Sequence, residues 1–276
     1  MTLERPYEIY EAPGLENPSL IVGWSQDAGR LGPNVIDFLN KKLGAQACAG
    51  IEPLPFFHLG GVSIEDNIIQ FPESKFYCCP GKDLLIFKSE APGKEQYQFL
   101  NTILDIAQHY RVKELYTIGG MVSLIAHTNP GRIFTVVNQA QLKKTLMQYG
   151  VDTGLDYQTP PGSRPTISSF LLWVAKRRRR WGVGLWAEVP FYLAATEDPR
   201  GCQRLLTFLD RRFELGMDLT ELDLVIQKQD EMIEELKQQN ATISKCVEMI
   251  ERGIMLSDDE RERLATEVTE FLEKGA

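Results

Sequence analysis

Apolar positions in this chain follow two periods, and residues 84–120 show both within one unit. Asp83-Leu84-Leu85-Ile86-Phe87 is short, apolar and unalternating, as expected of a strand covered on both faces. From Glu95 to Tyr110 the apolar side chains Phe99, Ile103, Ile106 and Tyr110 return at helical spacing. Leu115-Tyr116-Thr117-Ile118 then reads as a second strand, ending on Gly119-Gly120. Strand, helix and strand in this order predict parallel strands joined by a right-handed crossover.

The same reading extends to both sides. Residues 1–18, with Pro6, Pro13 and Pro18, form an extended lead-in, and Ser19-Leu20-Ile21-Val22-Gly23 is the first strand. A glycine-punctuated loop over 24–31 leads to a helix from about Pro33 that turns Val35, Phe38, Leu39 and Leu43 inward. Residues 45–51 predict another strand, and Pro53, Pro55 and Gly60-Gly61 then break regularity. Residues 62–69 and 75–79 are expected to pair as a hairpin about Phe71-Pro72-Glu73-Ser74.

Beyond Gly120 the small residues up to Gly131 predict a loop or short helix. A strand over 132–137 and a helix over 139–149 follow, then an irregular stretch over 150–165 centred on Pro160-Pro161-Gly162. Ile167, Phe170, Leu171 and Val174 mark the next helix, residues 181–189 a strand, and Asp198-Pro199 caps a helix reaching about Leu215. This is the pattern of an α/β protein: a mixed, largely parallel central sheet between helical layers.

The tail is different. Leu222, Ile226, Gln229, Ile233, Leu236, Asn240, Ile243, Val247 and Ile250 follow one another at alternating intervals of four and three, a heptad seam over four repeats. Gly253 ends that helix, and Ser257 with Glu260 forms a capping box for a second one presenting Leu264, Val268 and Phe271. The chain therefore divides into an α/β core domain over 1–218 and an acidic helical, coiled-coil-like extension over 219–276. Such a seam either closes a helical hairpin onto itself or the body, or joins subunits. In the second case Ile226, Ile233, Leu236, Asn240, Ile243, Val247 and Ile250 form the interface, with Asn240 and Gln229 fixing register.

Charge sharpens that division. Residues 219–276 hold 15 acids and 7 bases, whereas the rest of the chain has 23 of each, so the extension carries the whole net charge of −8. This balance argues against nucleic acid as a partner. The cationic run Lys176-Arg177-Arg178-Arg179-Arg180 complements a helix C-terminus and is expected to pair with the acidic tail, within or between subunits. Five cysteines without a paired framework, no secretory leader and no run long enough to span a bilayer predict a reduced cytoplasmic setting.

Catalytic motifs are missing: no phosphate loop, dinucleotide fingerprint, His-Glu-x-x-His, Cys-x-x-Cys or Gly-x-Ser-x-Gly occurs. No catalytic residue, metal or cofactor is expected, and His58, His109 and His127 are too scattered for ligation. What remains is positional, since ligands of open α/β sheets sit beyond the carboxyl ends of the strands. There Gly119, Gly120, His127, Asn129 and Arg132, with Glu188 before Pro190, could hold an anion or nucleoside-like molecule through amides and a guanidinium. In the plain structural reading the glycines permit a turn, Arg132 pairs with a neighbouring carboxylate and Glu188 is a strand-end acid.

One resemblance covers about residues 15–225. It runs from Gly23 and Gly32-Pro33 through Asp83-Leu84-Leu85-Ile86, Ile118-Gly119-Gly120 and Asn129-Pro130-Gly131-Arg132. It continues in Ser169-Phe170-Leu171-Leu172-Trp173-Val174-Ala175, in Gly184-Leu185-Trp186-Ala187-Glu188-Val189-Pro190-Phe191-Tyr192 and in Asp198-Pro199. In this order the motifs resemble the proteasome assembly chaperone family, in the group related to its second member. The resemblance implies a nucleoside-phosphorylase-like fold, a homo-oligomer (a trimer by analogy) and partners that are proteasome-like or other protein subunits. There are two departures. The chain ends Phe271-Leu272-Glu273-Lys274-Gly275-Ala276 instead of in the hydrophobic-Tyr-any docking motif of some archaeal relatives, and Ser168 or Ser169 stands where the family has glycine. The expectation is a non-enzymatic scaffold or assembly-chaperone-like protein, the alternative a ligand-binding protein or enzyme using the Gly119-Gly120 loop.

Overall fold

Strand β2, Ser19–Trp24, is the axis of the molecule: five of its six residues are buried, so both of its faces are covered. The computed structural model describes residues 5–10, 14–58, 62–65, 67–79, 81–156, 158 and 165–275. The breaks expected at Gly60-Gly61 and Pro160-Pro161-Gly162 lie outside these residues. The other sheet strands are β1 (Tyr7–Ile9), β3 (Gln46–Ile51), β6 (Ser74–Cys79), β7 (Leu84–Ser89), β8 (Glu114–Ser123), β9 (Ile133–Val137) and β10 (Trp181–Pro190). They form one eight-stranded mixed sheet in the order β1-β3-β6-β7-β2-β8-β10-β9. The four central strands β7, β2, β8 and β10 are parallel, and the wings on either side are antiparallel. β7 and β8, the pair read from the sequence as one unit, are both parallel to β2, which lies between them.

Alternate residues of the strands feed two separate cores. Leu20, Val22, Leu85, Phe87 and Leu115 face helices α2 (Gln96–His109) and α4 (Ile167–Arg177). Ile21, Ile86, Tyr116, Ile118, Val183 and Leu185 face α1 (Leu31–Leu43), α3 (Gln141–Met147) and α5 (Pro199–Phe213). This is the helix-sheet-helix layering that continuous apolar strands require.

Three elements differ from the sequence reading. First, β6 does not pair with residues 62–69. Those fold on themselves as the small hairpin β4 (Ser63–Glu65) and β5 (Ile68–Gln70), while β6 inserts between β3 and β7. The reason is burial: Phe76, Cys78 and Cys79 are fully covered in the main sheet, whereas Ile64, Ile68 and Ile69 stay exposed. Second, β8 does not stop at Gly119-Gly120 but continues through both to Ser123, paired with β10 throughout.

Third, the tail is three helices, α6 (Thr220–Gln239), α7 (Ala241–Glu251) and α8 (Asp258–Lys274). The heptad helix breaks at Asn240, whose Oδ1 accepts from the Thr242 and Ile243 amides and caps α7. Asn240 thus acts as a cap, not as a buried register residue. Gln229 donates to the Glu197 carbonyl at 2.7 Å, tying α6 to the body. Ile226, Ile233, Leu236, Ile243, Val247 and Ile250 are buried inside the subunit, most of them in the core shared with α1 and α5, and do not line an open face. The capping box of α8 forms as expected, with Ser257 and Glu260 reciprocally bonded. No helix among the described residues is long and apolar enough to cross a membrane. All five cysteines are free and buried.

Candidate functional site at the carboxyl ends of β2, β8 and β10

Only Leu20, Ile21 and Val22 of β2 pair with β8, so the two strands part toward their carboxyl ends. The connections leaving β2 and β8 run to opposite wings, which makes this gap the switch point where an α/β sheet offers a crevice. Here the crevice is filled by the chain itself. The loop after β2 folds into it and delivers Asp27, whose carboxylate accepts from the Gly120 amide at 3.0 and 3.1 Å and from the Gly32 amide at 3.0 Å. Gly32 lies in the first turn of α1, so the carboxylate occupies the place an external anion would take at a helix N-terminus.

The glycines make this fit. A Cβ on Gly120 would overlap the Ala28 carbonyl oxygen, one on Gly119 would come 3.1 Å from Asp27 Oδ1, and one on Gly32 would lie 2.6 Å from the Trp24 carbonyl oxygen. Burial of Asp27 outweighs its backbone hydrogen bonds, and its carboxyl is pushed up from an ordinary 3.8 to about 6.

The remaining sequence candidates split into two groups. Glu188 is buried on β10 and accepts from Arg132 N at 2.9 Å, Nε at 3.1 Å and Nη2 at 3.1 Å, and from Ser123 Oγ at 3.2 Å. Burial alone would raise its carboxyl, but the Arg132 and Ser123 hydrogen bonds prevail and hold it below the usual carboxylate range. The Arg132 guanidinium also covers the Phe134 ring and lies 3.5 Å from Asp152. Both residues thus satisfy each other.

His127 belongs to the second group, against the extension. Its backbone amide donates to Tyr192 Oη at 2.7 Å, and its Nδ1 lies 2.8 Å from the same oxygen. A hydroxyl that accepts the amide has its proton for Nδ1, which leaves the imidazole proton on Nε2, facing Asp230 Oδ1 at 4.0 Å. Burial holds the imidazole below its ordinary value. Asn129 turns the loop, its amide donating to the Ala126 carbonyl, while its Oδ1 is buried without a partner among the described residues.

Arg200, Arg204 and Asp230, none of them a sequence candidate, complete the closure together with Asp198 and Thr128. Arg204 reaches the Glu188 carbonyl at 2.6 Å and lies 3.7 Å from the N-cap Asp198, with Gly131 resting on its guanidinium. Arg200 pairs with Asp230 of α6, and Thr128 bonds Glu251 of α7 at 2.8 Å. Helix α8 packs on the short turn Phe191–Leu193 that follows β10. Asp27 carried one sequence signal, an acid between the first strand and its helix, but nothing local marked Arg204 or Asp230. Ser168, in the first turn of α4, accepts the buried Trp24 indole N–H at 2.9 Å. No metal-ligand cluster occurs among the described residues.

Comparison with known proteins places this arrangement. The model of the PAC2 family matches residues 20–237. A Corynebacterium glutamicum protein of unknown function is similar in structure, with a TM-score of 0.76 and 19% identity, covering 91% of this chain and 97% of that one. Pyrococcus furiosus PbaB, described as an archaeal proteasome activator, has a TM-score of 0.69 and 20% identity over 84% of this chain and 98% of its own. A Mycobacterium tuberculosis proteasome-assembly chaperone homologue has a TM-score of 0.69 and 17% identity over 83% and 99%. At these identities the likeness is one of fold. No curated protein matches.

Proposed function

The chain belongs to the PAC2 family, and from that premise we propose that it works as a protein-binding scaffold of the assembly-chaperone kind, without chemistry of its own. The observation that carries this reading is the Asp27 carboxylate, seated on the Gly120 and Gly32 amides in the crevice where an external anion would bind. Arg132 and Glu188 are likewise engaged with each other instead of being turned toward an open cavity. Exposed apolar surface supports the same reading: the β4–β5 hairpin exposes Ile64, Ile68 and Ile69, with Phe71 beside them. Clustered exposed apolar side chains of this kind mark contact with another protein.

One structural relative is described as a proteasome activator, so a proteasome-like subunit is the first partner class to test. Tagged full-length protein is incubated with extract of the source cells, and the bound subunits are identified after cross-linking. The double variant Ile68→Asp/Ile69→Asp, altered at exposed positions, should fold normally and lose the captured subunit. A thermal-shift screen against nucleosides, nucleotides, phosphate and amino acids should give no shift. A stabilisation abolished by Arg132→Ala would overturn the scaffold reading in favour of a small-ligand protein.

A further inference from the structure

The expected pairing of the basic run with the acidic tail does not occur within one subunit, because the sheet stands between them. Helix α4 packs with α2 on one face, and the extension packs with α1 and α5 on the other. Two of the five cations are engaged locally: Arg178 bonds Asp105 and the Asn101 carbonyl, and Arg180 the Val112 carbonyl. Lys176, Arg177 and Arg179 are exposed and have no carboxylate partner among the described residues.

Beside them lies an aromatic ladder across α2 and α4. Tyr97 stacks on Phe170 at 6.3 Å between centroids, Phe170 meets Trp173 at 5.8 Å, and Arg177 covers Trp173 at 5.0 Å. Tyr97 is 51% exposed and Trp173 48%, although such rings are ordinarily sequestered.

The opposite layer carries the complement. At the α7–α8 corner, Met255 is 75% exposed and Ile254 49%, and Leu124 with Phe191 continues this apolar ground in the groove below. Residues 248–262 hold six acids and two bases, a local charge of −4. Asp259 and Glu262 there are exposed and have no cationic partner among the described residues.

We propose that the aromatic and cationic face of α2–α4 receives the aliphatic and acidic α7–α8 corner of a second copy, so that subunits join head to tail. Aromatic rings and arginine beside apolar side chains and carboxylates match in both hydrophobicity and charge. The two faces lie on opposite sides of one sheet, so each subunit can offer one to each of two neighbours, and the contact is heterologous. This association goes beyond the scaffold reading and holds whether or not a foreign subunit is captured.

The test is mass in solution by light scattering and analytical ultracentrifugation of the full chain. Wild type should exceed the 31.3 kDa of one subunit. Its association should weaken at least tenfold between about 0.05 M and about 0.5 M salt, as screened charges require. Lys176→Glu/Arg177→Glu and Asp259→Lys/Glu262→Lys, all exposed positions, should each be monomeric with unchanged circular dichroism. Mixed, they retain one intact face each and should form a one-to-one complex that grows no further. A wild type that stays monomeric at low salt, oligomers unaffected by both variants, or a mixture that does not associate overturns the proposal. Capture of a foreign subunit through Ile68 and Ile69 is read separately and is unaffected by any of these outcomes.

Discussion

The buried carboxylate at the switch point makes a quantitative demand on stability against pH. Asp27 titrates near 6 in the folded chain instead of 3.8, so the folded state binds its proton more tightly than the unfolded state does. Neutral Asp27 therefore contributes stability that is fully present below pH 3.8 and is lost as pH rises through 6. A separation of roughly two pKa units corresponds to about 3 kcal/mol, of which about 2.4 kcal/mol falls between about pH 4 and pH 7.5.

Asp27→Asn removes the titration while nearly keeping the shape, and its constant offset drops out when the two proteins are compared across pH. Urea unfolding of both chains at closely spaced pH values is the assay. The stability of Asp27→Asn minus that of wild type should rise by about 2.4 kcal/mol over that window, with its midpoint between the two pKa values. A flat difference, or one that falls with pH, would show that the Gly120 and Gly32 amides and the start of α1 govern the carboxyl more strongly than its burial. The internal-anion description would then survive, but the argument from desolvation would be refuted.

Two further outcomes rest on single contacts and a third on the whole extension. Ser168→Ala leaves the buried Trp24 indole N–H without its acceptor and should cost about 1–3 kcal/mol in chemical denaturation; Ser168→Gly should cost as much or more. Asn240→Ala removes the α7 cap and should lower stability by about 1 kcal/mol without changing helix content by more than a few residues, as followed by circular dichroism. Deleting residues 219–276 uncovers the apolar surfaces of α5 and of the Phe191–Leu193 turn. The truncated chain should bind a hydrophobic dye and aggregate, and a soluble monomer would show that the extension is dispensable for the fold.

How much of this was legible beforehand depends on the range of the interaction concerned. The β7–α2–β8 unit, the Asp198-Pro199 cap and the Ser257–Glu260 capping box are written in residues a few positions apart, and each forms as read except for the carboxyl end of β8, which runs on past Gly119-Gly120 to Ser123. The partner of β6 is not legible in the sequence, because alternation describes a strand's faces but not its neighbour. Phe76 and the cysteines settle beside β7 because the main sheet covers them and a surface hairpin would not. Among the site candidates, Arg132 and Glu188 do converge, whereas Gly119 and Gly120 receive an acid from the loop after β2 and His127 turns toward Tyr192 and Asp230.

Sequence alone determined the layered α/β body, the helical nature of the tail and the confinement of net charge to it, because periodicity, capping and composition are local properties. Only the tertiary structure decided that the heptad residues close onto their own subunit, that Asn240 interrupts them, and that the crevice between β2 and β8 holds Asp27. Those outcomes depend on which distant surfaces are left uncovered once the sheet forms. The seam packs on the apolar side of α5, and the Asp27 carboxylate seats on two amides brought together by strands far apart in the chain.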